Sequence, residues 1–155
     1  MKFRSYQLFF VAAVALLIAA LCMPVMLFIE PSGATFSLGN FSMQLPDGDS
    51  SYVACSLGVV LVVALLVNLF ALLVSLFQNF ELQKRTSILA MLLSAGYYIL
   101  LLVFSFLLNE GAEPYVQIAT LLPFIALVLD MLAFLSIRRA EANILARATG
   151  FRLRD

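Results

Sequence analysis

The sequence predicts an all-α membrane protein: an up-down bundle of four transmembrane helices with a small external β-hairpin between the first and second. Two observations carry this. Four apolar segments, 8–28, 53–77, 88–108 and 118–137, each supply the roughly 20 residues needed to cross a hydrocarbon core of about 30 Å. All nine Lys and Arg residues lie on one side of those segments. Composition agrees: 64% hydrophobic, 12% charged and a mean hydropathy of +1.07 are far from a soluble domain. The segments fill most of the 155 residues, so the chain is a single membrane domain, 1–155.

Segment one follows Lys2 and Arg4. Its apolar run is too long for a secretory signal core and no small-x-small cleavage site follows, so it is expected to be retained as a helix. Ala12, Ala13, Ala15, Ala19 and Ala20 permit close helix approach, and Pro24 is expected to kink the outer third. Ser94 and Gly96 are expected to act likewise in segment three.

The loop 29–52 has order of its own. Between Ala34 and Leu45, apolar and polar residues alternate around Gly39-Asn40, and a two-residue Gly-Asn turn is a type II′ hairpin signal. In that register Leu38 faces Phe41 and Phe36 faces Met43, so these four apolar side chains share a face opposite Ser37 and Ser42. An isolated hairpin is marginal in water. The apolar face therefore packs either on the chain's own bundle or on a partner protein, which makes Phe36, Leu38, Phe41 and Met43 candidate docking residues. Asn40-Phe41-Ser42 also fits the N-glycosylation pattern, relevant only in a eukaryotic secretory pathway.

The connections 78–87 and 109–117 are short, making segments two, three and four antiparallel neighbours. The first is basic, with Lys84 and Arg85, and the second acidic, with Glu110 and Glu113. Arg138, Arg139, Arg147, Arg152 and Arg154 follow segment four. Nine bases against Glu81, Glu141 and Asp155 leave +6 on that side, while Glu30, Asp47, Asp49, Glu110 and Glu113 put −5 on the other. Lys and Arg stay cytoplasmic, so both termini are expected inside a bacterial inner membrane. Along the tail 138–155 and the residue before it, Ile137, Ala140, Ile144, Ala148 and Phe151 form one stripe. The tail is either a basic amphipathic helix on an anionic leaflet, with its five arginines as lipid contacts, or a continuation of segment four.

Few polar groups enter the spans. Asp130, Asn68, Tyr97 and Tyr98 each lie seven to ten residues from the basic side, about 10–15 Å deep at 1.5 Å per residue. They are expected to meet as an intramembrane cluster. A carboxyl there is expected to be neutral or hydrogen-bonded, since burial penalises its charge. Two roles follow: a clamp joining helices, or a proton or substrate relay. No Arg, Lys or His lies in any span to complete a relay.

Enzymatic chemistry is not expected. The chain has no histidine, so imidazole catalysis and ordinary zinc or haem ligation are missing. No phosphate-binding glycine loop or nucleophile elbow is present. Cys22 and Cys55, near the outer ends of segments one and two, are read as small buried hydrophobes, with a disulfide as the alternative. No metal or cofactor is implied, and no nucleic-acid partner.

The segment Phe77-Gln-Asn-Phe-Glu-Leu-Gln-Lys-Arg85 resembles the signature cytoplasmic turn of the domain-of-unknown-function family number 4293 of Bacteroidota. Leu122-Pro123, Ala126, Val128 and Leu132-Ala133 resemble its fourth helix. Ile137-Arg-Arg with Glu141, Arg147 and Arg152-Leu153-Arg154 resemble its basic exit and ending. Phe134–Ser136 departs from the family's usual Asn-Arg pair. The resemblance implies a four-helix inner-membrane protein and carries no catalytic residue. The functional expectation is a scaffold, assembly or accessory subunit of a membrane complex, contacting membrane lipids and a protein partner. The alternative is a small oligomeric transporter or proton-linked channel using Asp130.

Overall fold

The computed structural model describes residues 5–45, 47, 49–52, 55–77, 79–108 and 113–148. Lys2, Arg4, Glu110, Arg152, Arg154 and Asp155 lie outside the described residues. Four helices, α1 (Ser5–Cys22), α2 (Cys55–Val74), α3 (Phe80–Leu108) and α4 (Leu121–Ala148), are each long and apolar enough to cross a membrane. Five short strands, β1 (Met26–Ile29), β2 (Thr35–Leu38), β3 (Met43–Gln44), β4 (Ser50–Ser51) and β5 (Glu113–Val116), form one antiparallel sheet in the order β4-β3-β2-β1-β5. A 3-10 turn, Ile118–Thr120, leads into α4.

Each helix packs on its sequence neighbours, and α1 also packs on α4, so the four close into a ring. Apart from Gly58 and Thr86, the buried positions of the helices step by three or four. Among them are Tyr6, Phe10, Ala13, Leu17 and Ala20 in α1, and Leu57, Leu61, Ala64, Asn68 and Ala71 in α2. In α3 they are Gln83, Ser87, Ala90, Ser94, Tyr97 and Leu101, and in α4 Ala126, Asp130, Ala133 and Ile137. This is the 3.5-residue seam of a left-handed bundle. The opposite faces carry exposed Leu8, Leu66, Phe70, Leu92, Ile99 and Phe124, as a lipid-facing surface requires. The apolar core has two clusters. One, toward the sheet, joins Leu17, Leu57, Tyr97 and Ala126 to Phe28, Phe36 and Leu38; the other, toward the basic end, gathers Tyr6, Phe10, Ala71, Ala133 and Ile137.

Several boundaries differ from the sequence reading. Pro24 stands beyond α1 and does not kink it; the helix stops at Cys22 and the apolar run continues as strand β1. Hydropathy does not distinguish a helix end from a buried strand, whereas proline, which lacks the donor a helix needs, does. The basic connection is mostly helical. Asn79 Oδ1 accepts from the Leu82 amide at 3.2 Å as an N-cap, so α3 begins at Phe80, with Glu81 in its first turn. Gln83 closes the previous helix, donating to the carbonyls of Val74 (3.3 Å) and Phe77 (2.7 Å). At the other end α4 runs on to Ala148, so the tail through that residue continues the helix. Lys84 Nζ meets Glu141 at 2.9 Å and ties the two protruding helix ends together. Cys22 and Cys55 are exposed and free, neither buried nor paired. An added Cβ at Gly96 meets nothing within 4 Å, so no helix approaches there.

The hairpin is part of a larger sheet. Its first turn is Pro31-Ser32-Gly33, where Gly33 (φ 84°) is the positive-φ residue that ends a three-residue loop. Around Asn40 the pairing is Leu38 with Met43 and Ser37 with Gln44, and the Gly39 amide donates to the Ser42 carbonyl at 2.9 Å. The two turn residues are therefore Asn40-Phe41, not Gly39-Asn40, and Gly39 has no positive φ. The shift moves each partner by two residues and preserves the apolar face. Phe36 and Leu38 are buried on it and Phe28 stacks on Phe36 at 4.9 Å, but Phe41, at the turn, is 43% exposed.

Candidate functional site

The four polar residues expected to cluster divide between two sites. In the first, Asn68 Nδ2 donates to Asp130 Oδ2 at 3.3 Å and to the Ala64 carbonyl at 3.2 Å. α2 and α4 face each other across the ring, so this bond crosses its middle, between the two apolar clusters. Alanines at the flanking seam positions, Ala64 and Ala71 on α2 and Ala126 and Ala133 on α4, leave room for it. Asn68 and Asp130 are fully buried, and the Oδ1 atom of each has no hydrogen-bond partner among the described residues. Ser94 Oγ, on the α3 seam, is likewise buried without one.

Tyr97 and Tyr98 belong to the second site, at the sheet end. Tyr97 Oη donates to Asn40 Oδ1 at 2.9 Å, Asn40 Nδ2 donates to the Ala20 carbonyl at 2.8 Å, and the Asn40 carbonyl accepts from the Gly58 amide at 2.7 Å. One residue thus closes the last turn of α1, the first turn of α2 and the wall of α3. Gly58 is required there: a Cβ would lie 2.7 Å from the Asn40 carbonyl oxygen and 2.4 Å from the Phe41 ring. Tyr98 donates to the Thr120 carbonyl, and Thr120 Oγ1 donates to the Val25 carbonyl at 2.7 Å. Val25 in turn donates to Leu38 at 2.8 Å and also accepts from the Gln117 amide at 3.2 Å. These bonds fasten the sheet to α1, α2 and α3 and to the 3-10 turn that leads into α4.

The division has a physical cause. Matching depths assumed four helices at every level, yet α1 stops at Cys22 and α2 starts at Cys55, leaving space that the Asn40 turn fills. The Tyr97 hydroxyl reaches that turn and the Tyr98 hydroxyl the Thr120 carbonyl, so neither meets Asp130. Asn40 and Thr120 were missed because a turn asparagine and a loop threonine read as solvated. The lone glycine in the apolar run of α2 was the available signal. Asn40, 2% exposed and bonded on three sides, leaves no space for a glycan.

The proposed docking residues also divide. Phe36 and Leu38 are covered by the chain's own core, and Met43 is half-buried against it, so they present little to a partner. The outward face instead carries Leu27, Ile29 and the 51% exposed Tyr115, beside Thr35, Ser37 and Gln44. Of the expected lipid contacts, Arg138 lies over the Phe134 ring at 6.0 Å. Arg139 and Arg147 line a cleft between α1 and α4.

No curated protein matches the chain. A family profile matches residues 4–147, nearly the whole length and all four helices, and the chain belongs to that family, the domain of unknown function DUF4293.

Proposed function

We propose that the protein is a non-enzymatic accessory or assembly subunit of a complex in a bacterial inner membrane. The Lys84–Arg85 end faces the cytoplasm and the sheet faces outward, following the one-sided distribution of bases. The observation that carries the reading is the investment in the sheet. The buried Asn40, Tyr97 and Thr120 and the half-buried Tyr98 all hold it in a fixed pose on the bundle. Its outward face then presents Leu27, Ile29 and Tyr115 on a rigid platform, the preorganised mixed surface that protein partners use. Copurification in mild detergent from native membranes, followed by mass spectrometry, tests this. A stoichiometric partner retained by the wild type and lost from Tyr115→Asp, with unchanged melting, supports the reading. Isolation of a partner-free protein in every detergent overturns it.

A second reading, transport, draws on the unpartnered Oδ1 atoms of Asn68 and Asp130 in mid-bundle. The tyrosines that would extend such a path are committed to Asn40 and Thr120, so the pair has no polar continuation through them.

A further inference from the structure

The five described basic side chains have distinct fates. Lys84 pairs with Glu141 across α3 and α4, Arg85 pairs with Glu81 at 2.7 Å, and Arg138 lies over Phe134. Arg139 and Arg147 have no carboxylate partner among the described residues. Both line one cleft of about 470 Å³ between the first turn of α1 and the last turns of α4. Ser136, Asn143 and Ser5 add neutral polar groups to its lining, and Tyr6, 2% exposed, is part of its wall. No acidic residue lines it among the described residues. Glu141, the acid on this stretch of α4, is held on the α3 side by Lys84.

We infer that this cleft binds the phosphodiester head group of an anionic phospholipid. Two arginines two helical turns apart on α4, at positions 139 and 147, line the cleft with Asn143 between them, and the planar N–H fork of a guanidinium suits phosphate oxygens. The cleft also stands where a head group belongs. One turn further into the bundle are Leu8 on α1, 58% exposed, and Leu132 on α4, 41% exposed. They begin the apolar outer surface along which acyl chains would lie. A soluble phosphate would use the two arginines and leave that surface unused, so the lipid is the better fit. The inference rests on the membrane placement of the bundle and is independent of any protein partner.

Native mass spectrometry of the detergent-purified protein with added dioleoylphosphatidylglycerol tests the assignment, with dioleoylphosphatidylcholine and inorganic phosphate as comparison arms. The wild type is expected to retain one phosphatidylglycerol preferentially. Arg139→Gln/Arg147→Gln is expected to weaken retention roughly 20–30-fold, from the attraction typical of two basic residues at an anionic surface. Asn143→Glu, which places a carboxylate between the two arginines at an exposed position, is expected to weaken it as well. Arg85→Gln/Arg138→Gln removes the same charge outside the cleft and is expected to leave retention unchanged. Equal loss in that control pair, or undiminished retention in the cleft variants, overturns the site. Inorganic phosphate that stabilises the wild type but not the double variant, with no lipid retained, overturns the lipid assignment in favour of a soluble anion. Cysteine labelling of the same preparations in vesicles separates a failed cleft from a failed membrane placement.

Discussion

Replacing Asn40 is expected to loosen the whole sheet end of the molecule, and the size of the effect follows from its bonds. Asn40→Ala removes the donor to Ala20 (2.8 Å) and the acceptor for Tyr97 (2.9 Å) while leaving the backbone bond to Gly58. Two side-chain hydrogen bonds at about 1 kcal/mol net each, plus a penalty of about 1–3 kcal/mol for a tyrosine hydroxyl left buried without an acceptor, give a loss of about 3–5 kcal/mol. Tyr97→Phe alone removes one bond and should cost about 1–2 kcal/mol. In the double variant no stranded hydroxyl remains, so the two losses should fall short of additivity by at least about 1 kcal/mol, well above the tolerance for independent sites. Asn40→Asp probes the same geometry without a cavity, because it turns an oxygen toward the Ala20 carbonyl; it should destabilise at least as much as alanine. Reversible unfolding in mixed micelles, monitored by helical circular dichroism, measures the wild type and the four variants. Additive losses, or an Asn40→Asp variant as stable as wild type, would refute the assignment of Asn40 as the joint between sheet and bundle.

The remaining expectations concern the sheet, the mid-bundle pair and the topology. Leu38→Asp puts a charge into the outer cluster and should prevent folding, whereas Phe41→Asp, at a 43% exposed turn position, should cost far less; expression and melting of the two variants decide it. Asp130→Asn should retain stability and rescue a deletion strain, while Asp130→Leu should lose about 0.6–2 kcal/mol, the range for interhelical hydrogen bonds in membranes. A normally folded Asp130→Asn protein that fails to complement would favour the transport reading. In a Cys22→Ala/Cys55→Ala background, Gln44→Cys should react with an impermeant reagent in intact cells and Arg85→Cys should not; the reverse pattern would invert the topology.

The architecture was legible where burial and charge obey simple sums. Four long apolar runs specify four helices because a span needs about 20 apolar residues whatever their order. The internal faces were not legible, since the lipid-facing sides are as apolar as the core and leave no contrast to mark a face. The seam becomes visible only through its small and polar members, among them Ala64, Asn68 and Ala71, or Ala126, Asp130 and Ala133. Strand β1 was hidden for the same reason: Met26-Leu-Phe-Ile29 continues the hydropathy of α1, and only Pro24 signals the change. Strand β5 pairs with β1 at a separation of nearly ninety residues, from Ile29 with Glu113 to Met26 with Val116, and no local pattern encodes such a pairing. The Asn40 register failed because Gly-Asn and Asn-Phe turns at the same site preserve which residues face inward, and alternation alone cannot choose between them.

That ambiguity bears on function through the placement of polar groups. In hydrocarbon a polar side chain needs a partner, so a sequence containing four such groups at similar depths invites a single cluster and, from it, a relay. The chain resolves the requirement differently. Its two tyrosines are satisfied by the returning loop, through Asn40 and the Thr120 carbonyl, and only Asn68 and Asp130 face each other across the ring. A hydroxyl holding a loop in place cannot also swing to pass a proton without releasing that loop. A transport role would therefore have to operate from the Asn68–Asp130 pair alone, or with Ser94, and with no Lys, Arg or His in the apolar segments 8–28, 53–77, 88–108 and 118–137. A structural role asks less of the same atoms: the mid-bundle bond fixes helix register, and the network at the sheet end fixes the platform's pose. Register and pose are what a docking surface requires, and on that ground we propose assembly rather than transport as the use of these buried polar groups.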